Sequence, residues 1–193
     1  MLWGQYSGLI VAMHKTFAPT TQHYVVGIQQ PPTDSKESVM ECTVTWTGAS
    51  GARSGMGFLA ETGTGHVLVM DGAPDESRPE NGGRNLAPRP METVLAGTGG
   101  CTAYDVVLIL KRGRHDVRGC SVKLSAERAA TDPKVFTRIH MHFTVRGRKL
   151  PAAAVERAIA MSHEKYCSAS AMLAKTAEMT TSFDLVEDDA TPA

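Results

Sequence analysis

Residues 90–112 read PMETVLAGTGGCTAYDVVLILKR. Pro90 suits the first turn of a helix, where its missing N–H costs nothing, and Glu92 suits the positive end of the helix dipole. Gly113 follows as a stop, so the pattern predicts a helix over about 90–112. The helix is apolar almost all round, which predicts a central, buried helix rather than a surface one. Gly99 and Gly100 each weaken it by about 1 kcal/mol relative to Ala. That weakness has a use if another backbone packs closely beside Cys101. The run approaches the length of a membrane span, yet Asp105 and three glycines interrupt it. An ionised Asp in hydrocarbon is expensive, so a core helix is the better reading.

Upstream, Met40, Cys42, Val44 and Trp46 alternate with Glu41, Thr43, Thr45 and Thr47, the period of a strand. A glycine-rich turn, GASGARSG, leads to a second strand near 56–61, and HVLVMD near 66–71 reads as a third. Together they predict an antiparallel meander. The long stretch GAPDESRPENGGRNLAPRP then precedes the helix; a loop of this length in a compact domain is usually functional or mobile. Downstream come two strands near 118–128 and 134–147, turning at Asp132-Pro133. A helix from Pro151 to about Glu164, a second over roughly 168–178, and a last strand in TSFDLVED complete the chain. The order βββ-α-ββ-αα-β predicts an α+β fold, antiparallel sheets around the central helix. Residues 1–39 lack a sustained period and read as a tail or extension, 40–187 as the domain, and 188–193 as a C-terminal tail.

The 193 residues suffice for one domain with a proper core. Lys+Arg and Asp+Glu balance at 20 each, so there is no electrostatic footprint for nucleic acid or an anionic membrane surface. GLIVAM, near the N-terminus, is too short for a signal-peptide core and has no basic stretch before it. The expected compartment is the cytoplasm, where a disulfide tends to be transient or catalytic.

The four cysteines separate by context. Cys42 shares a strand face with Val44 and Trp46, and Cys120 with Val122 and Leu124. Both are expected to face the core as small hydrophobes. Cys101 lies among small helix residues that leave its sulfur approachable. Cys167, in HEKYCSASAML, sits where one helix ends and the next begins. Ser168 or Ser170 is expected to cap that second helix, and a thiol near a helix N-terminus has its thiolate favoured. Taken alone, each still reads more readily as packing than as a nucleophile. No C-x-x-C and no His-x-x-x-His with carboxylate support is present, so a zinc site is not expected. His140 and His142 share a strand face that reads as solvated surface. No G-x-S-x-G supports a serine nucleophile.

The segment PMETVLAGTGGCTAYD at 90–105 resembles the first-cysteine helix of the OsmC/Ohr family, the osmotically inducible and organic hydroperoxide resistance proteins. MSHEKYCSASAML at 161–173 resembles that family's second motif. The likeness spans about residues 40–187. It implies an intertwined homodimer and a thiol-dependent peroxidase for organic hydroperoxides, with Cys101 peroxidatic and Cys167 resolving. No metal or other cofactor is implied, and the reductant would be a dithiol or a lipoyl-bearing protein. By resemblance, Arg53 in GARSG and Glu92 hold and activate the thiolate. Glu92 is the looser match, because the family commonly places the acid directly after the proline, where this chain has Met91. Cys-Ser replaces the usual Cys-Pro at 167–168, so the chain resembles a divergent branch. Two alternatives stand beside the enzyme: a redox sensor or stress-response protein using the same pair with little turnover, and a small apolar ligand-binding module. Apolar residues flanking the cysteines (Val94, Leu95, Val106, Val107, Met172, Leu173) predict a preference for bulky hydroperoxides.

Overall fold

The structure, a computed structural model, describes residues 39–48 and 55–188. Its elements all lie in the unit that begins at Glu41. Three strands, β1 (Cys42–Trp46), β2 (Phe58–Thr62) and β3 (Val67–Met70), form an antiparallel meander in that order. Helix α1 (Pro90–Arg112) follows the long loop, and β4 (Asp116–Arg128) and β5 (Phe136–Arg148) then pair as a long antiparallel hairpin. Helix α2 (Ala152–Met161), a π-helical turn (Ser162–Tyr166) and the short helix α3 (Ser168–Leu173) lead into β6 (Glu178–Glu187). Contrary to the antiparallel expectation, β6 runs parallel to β5. The helical crossover between them carries the chain back to the end where β5 began, as a parallel pairing requires.

The second sheet is two-faced. Phe136, Ile139, Met141, Phe143 and Val145 of β5 are buried against Val106 and Leu110 of α1 and Val155, Ala158 and Ile159 of α2. On the other face, His140 and His142 alternate outward and hydrogen-bond in a ladder to β6. His140 meets Thr180 (2.8 Å) and Ser182 (2.9 Å), while His142 meets Ser182 (2.9 Å) and Asp184 (3.1 Å).

Helix α1 is apolar all round, yet only one side of it is covered by the described residues. Thr98, Gly99, Thr102, Val106 and Leu110 are buried, whereas Val94 and Tyr104 are exposed. A Cβ on Gly99 would stand 2.6 Å from Leu124 Cδ1. The glycine therefore admits a β4 side chain rather than another backbone. Gly97 and Gly100 look into open space.

The first sheet corrects another expectation. Cys42 is exposed, and so are Val44 (56%), Trp46 (50%), Val67 (57%) and Val69 (54%). Alternation along β1 marks a strand correctly, but among the described residues no second layer lies over it. Cys120, by contrast, is half-buried against the core as expected, and burial pushes its thiol pKa up.

The loop between β3 and α1 is organised by one carboxylate. Buried Asp71 accepts N–H bonds from Gly72 (2.7 Å), Arg84 (3.0 Å) and Leu86 (2.9 Å). The Leu86 bond foremost, with those from Gly72 and Arg84, overcomes the cost of burial and holds this carboxyl below the usual Asp value. A group with a depressed folded-state pKa contributes stability above its unfolded pKa and loses it as pH falls through the folded one. Asp71→Ala, which leaves three N–H groups without their acceptor, should cost about 2 kcal/mol in urea unfolding at neutral pH. The difference from wild type should shrink in acid.

Candidate functional site

Two polypeptide segments bring the sulfurs together. Helix α1 carries Cys101, Thr102 and Asp105 on neighbouring positions of its inner side, and the 162–170 segment supplies the rest. The π turn puts an extra residue into the helix after α2, closing with Cys167 N–H donating to the Ser162 carbonyl at 2.8 Å. Such turns accumulate at functional sites because they re-aim side chains. Here Ser162 Oγ donates to Asp105 Oδ2 at 3.0 Å, and Cys167 is left as the N-cap of α3. The cap is thus the cysteine itself and neither of the serines expected for it: Cys167 Sγ accepts the Ser170 N–H at 3.4 Å.

Cys167 is 2% exposed, and its sulfur lies in a small polar enclosure. Ser170 Oγ donates to it at 3.2 Å, and Thr102 Oγ1 lies 3.3 Å from both Cys167 Sγ and Ser170 Oγ. Thr102 also reaches the Thr98 carbonyl at 3.0 Å, so its one proton serves that carbonyl or the sulfur. Cys101 is partly exposed. Its sulfur, that of Cys167 and a carboxylate oxygen of Asp105 all lie within 4.8 Å of one another.

The two thiols are shifted in opposite senses. Burial alone would raise the Cys167 pKa, but the Ser170 hydroxyl, the Thr102 hydroxyl, the Ser170 N–H and the Cys101 S–H together hold it below the ordinary thiol value. Cys101 is raised, by burial first and then by its hydrogen bond to Cys167. The negative charges of Cys167 and Asp105 add to the rise, and only the Ala169 N–H opposes it. Of the two thiols, Cys167 is therefore the more readily ionised and Cys101 the less.

Of the four residues singled out from the sequence, the structure joins Cys101 and Cys167. Glu92 is exposed at the start of α1 and accepts the Arg89 N–H at 2.9 Å. It precedes Cys101 by nine positions, about 13 Å along a helix axis. Arg53 lies outside the described residues. Thr102, Ser162 and Asp105 were not singled out from the sequence as site residues, and Ser170 only as a candidate helix cap. The one available signal was spacing: Cys101 and Asp105 stand four apart on a helix, a separation that places both on one face. Beside the N-terminus of α1, Met91, Leu95, Phe136, Arg89 and Arg128 line a pocket of about 490 Å³ that includes neither cysteine.

Comparison with known proteins now decides the lineage. The family described as OsmC-like protein matches residues 82–182. The chain belongs to the OsmC-like family. Protein YhfA of Escherichia coli K12 is 46% identical over 147 residues, covering 76% of this chain and 98% of that relative. A solved hypothetical protein from Aquifex aeolicus VF5 shares 26% identity, with TM-score 0.63 over 79% of this chain and 100% of its own. An organic hydroperoxide resistance protein OsmC from Legionella pneumophila has the same fold, with 19% identity and TM-score 0.55 over 78% and 99% of the two chains. This OsmC-like chain thus has the α+β fold expected from its element order, and its long apolar helix, although able to cross a bilayer by length and composition, packs as the central helix of that fold.

The enclosure around Cys167 makes a direct prediction. A hydrogen bond to a charged group is worth about 1.5–3 kcal/mol, so Ser170→Ala should lower the Cys167 ionisation constant at least about tenfold. Thiolate ultraviolet absorbance followed through a pH titration, with far-ultraviolet circular dichroism as the folding control, checks this.

Proposed function

We propose that this OsmC-like protein is a cytoplasmic thiol peroxidase that reduces organic hydroperoxides through Cys101 and Cys167. The observation that carries this reading is the juxtaposition of a partly exposed sulfur with a fully buried, thiolate-stabilised one. Only the first is open to a substrate; the second is held ready behind it.

The Cys101 thiolate attacks the terminal peroxide oxygen, the O–O bond breaks, and the alkoxide leaves as an alcohol after taking a proton. Cys101 is then a sulfenic acid. The Cys167 thiolate attacks its sulfur, the S–S bond forms, and hydroxide departs as water once protonated. An external dithiol, free or carried as a lipoyl group, reduces the disulfide by exchange and is itself oxidised. Such a cycle suits a reducing compartment, where the pair returns to the dithiol. Because the described surroundings of Cys101 favour its neutral form, the activating charge in this reading is Arg53, steadied by Glu92. The raised Cys101 thiol is also the observation that favours the sensor reading, in which the pair oxidises once and stalls.

The apolar environment of the site is smaller than the sequence suggests. Val106 is fully buried in the core, while Leu95 lines the pocket at the start of α1 and Val94 and Met172 are exposed. Each methylene that a substrate buries is worth about 0.8 kcal/mol. Cumene hydroperoxide should therefore exceed hydrogen peroxide in kcat/KM by about tenfold or more with excess dithiol. Cys101→Ser should abolish turnover, and Cys167→Ser should accumulate a sulfenate at Cys101 by mass spectrometry. Oxidation on Cys42 or Cys120 instead would overturn the assignment, and a single stoichiometric oxidation with no turnover would favour the sensor.

The same reading includes a homodimer. It is supported by the bare apolar faces of β1 and β3 and by the open side of α1 along Val94, Gly97, Gly100 and Tyr104. Among the described residues nothing covers these faces, exposed apolar patches of this kind mark interaction sites, and an obligate interface would supply the layer. Sedimentation should find a dimer at low micromolar concentration; a stable folded monomer there would remove this part of the proposal.

A further inference from the structure

The carboxylate beside the two sulfurs has no part in a two-thiol peroxide cycle. Asp105 adds negative charge where a Cys101 thiolate has to form. It is nonetheless held in place, since Ser162 Oγ donates to its Oδ2 at 3.0 Å. Ser162 is itself completely buried, and the π turn that positions it is the same irregularity that delivers Cys167.

We infer that the reduced Cys101–Cys167 pair and Asp105 together form a binding site for a thiophilic divalent cation of the zinc class. Three donor atoms, two sulfurs and one carboxylate oxygen, stand within 4.8 Å of one another. In tetrahedral zinc sites, Zn–S is about 2.3 Å and Zn–O about 2.0–2.2 Å, which places sulfurs about 3.8 Å apart and sulfur and oxygen about 3.5 Å apart. Closing the widest separation here to such an edge takes roughly 1 Å, within the reach of side-chain rotation. Cys101 and Asp105 both project from α1 one turn apart, so they form the natural chelating pair, and Cys167 closes the set from the opposite segment. The Ser162 hydroxyl orients the carboxylate, the outer hydrogen bond that metal-ligating carboxylates ordinarily have. Cys101 and Asp105 are partly exposed, so a fourth position faces solvent.

Binding involves no redox change. The cation forms two bonds to sulfur and one to oxygen, and the thiol protons pass to solvent, so affinity rises with pH. The bound cation takes up the sulfur lone pairs that peroxide would need, and a disulfide in turn removes two of the three ligands. Metal occupancy and oxidation of the pair are therefore mutually exclusive. The inference rests on the reduced dithiol geometry and not on turnover of peroxide.

The test uses the full chain, reduced and stripped with a chelator, then titrated with Cd2+ under argon while the thiolate-to-cadmium ultraviolet charge-transfer band is followed. Zn2+ is measured by competition with a chromophoric chelator. One ion should bind per chain, and the Cys42→Ser/Cys120→Ser double variant should behave like the wild type. Affinity should fall more than about a hundredfold in Cys101→Ser, and about tenfold or more in the isosteric Asp105→Asn, since even outer-sphere partners are worth that much. Bound metal should also protect Cys101 from alkylation, and prior oxidation to the disulfide should abolish the band. The site is overturned if the reduced chain shows no band, if the band survives Cys101→Ser, or if folded Asp105→Asn binds Cd2+ and Zn2+ as tightly as wild type. Because the band is read without peroxide, a metal-free chain that turns over no hydroperoxide would count against the peroxidase alone.

Discussion

The structure hinges on a buried polar contact between two segments far apart in sequence. Thr102 Oγ1 on α1 touches both the Cys167 sulfur and the Ser170 hydroxyl, and all three residues are essentially without solvent exposure. Buried polar groups are costly unless partnered, so this contact restricts how α1 and the 162–170 segment may slide past each other. A slip of one residue along α1 would turn Thr102 away and take one partner each from the sulfur and the Ser170 hydroxyl. The alignment that satisfies them is also the one that sets Cys101 beside Cys167 and Asp105 beside Ser162. Polar satisfaction and chemical juxtaposition are here the same constraint.

That constraint distributes charge in a way neither cysteine context alone implies. Each thiol affects the other, and the donors around the inner sulfur favour ionisation at Cys167 over Cys101. The inner cysteine is buried among donors, and the outer one meets the solvent. A carboxylate in the same cluster opposes ionisation of Cys101 but completes a donor set for a cation. Reactivity at this site is therefore governed by what neutralises the cluster.

The two sheets show what packing contributes beyond pattern. β5 alternates apolar and polar residues, and its apolar set lies wholly within the core beneath α1 and α2. β1 alternates just as clearly, yet its Cys42, Val44 and Trp46 are exposed. Alternation specifies that a strand has two unlike faces; it does not say whether the same chain supplies a layer to cover one of them. The helix α1 makes the same point, with one apolar side packed on β4 and the other open at Gly97, Gly100 and Tyr104.

The order of elements, the span of α1 from Pro90 to Arg112 and the two cysteine segments were legible in the sequence. They depend on local signals: Pro90 and Gly113 at the helix limits, period-two runs in the strands, and glycine-rich turns between them. The parallel course of β6, the exposure of Cys42, the capping of α3 by Cys167 itself and the assembly of Thr102, Asp105, Ser162 and Ser170 were decided by tertiary structure. Those features arise from how separate elements dock, as β6 on β5 and Asp105 against Ser162, or from strand faces that the described residues leave uncovered. No periodicity or local spacing encodes either one, because a side chain's neighbours across the core are set by how elements dock and not by the residues beside it in the chain.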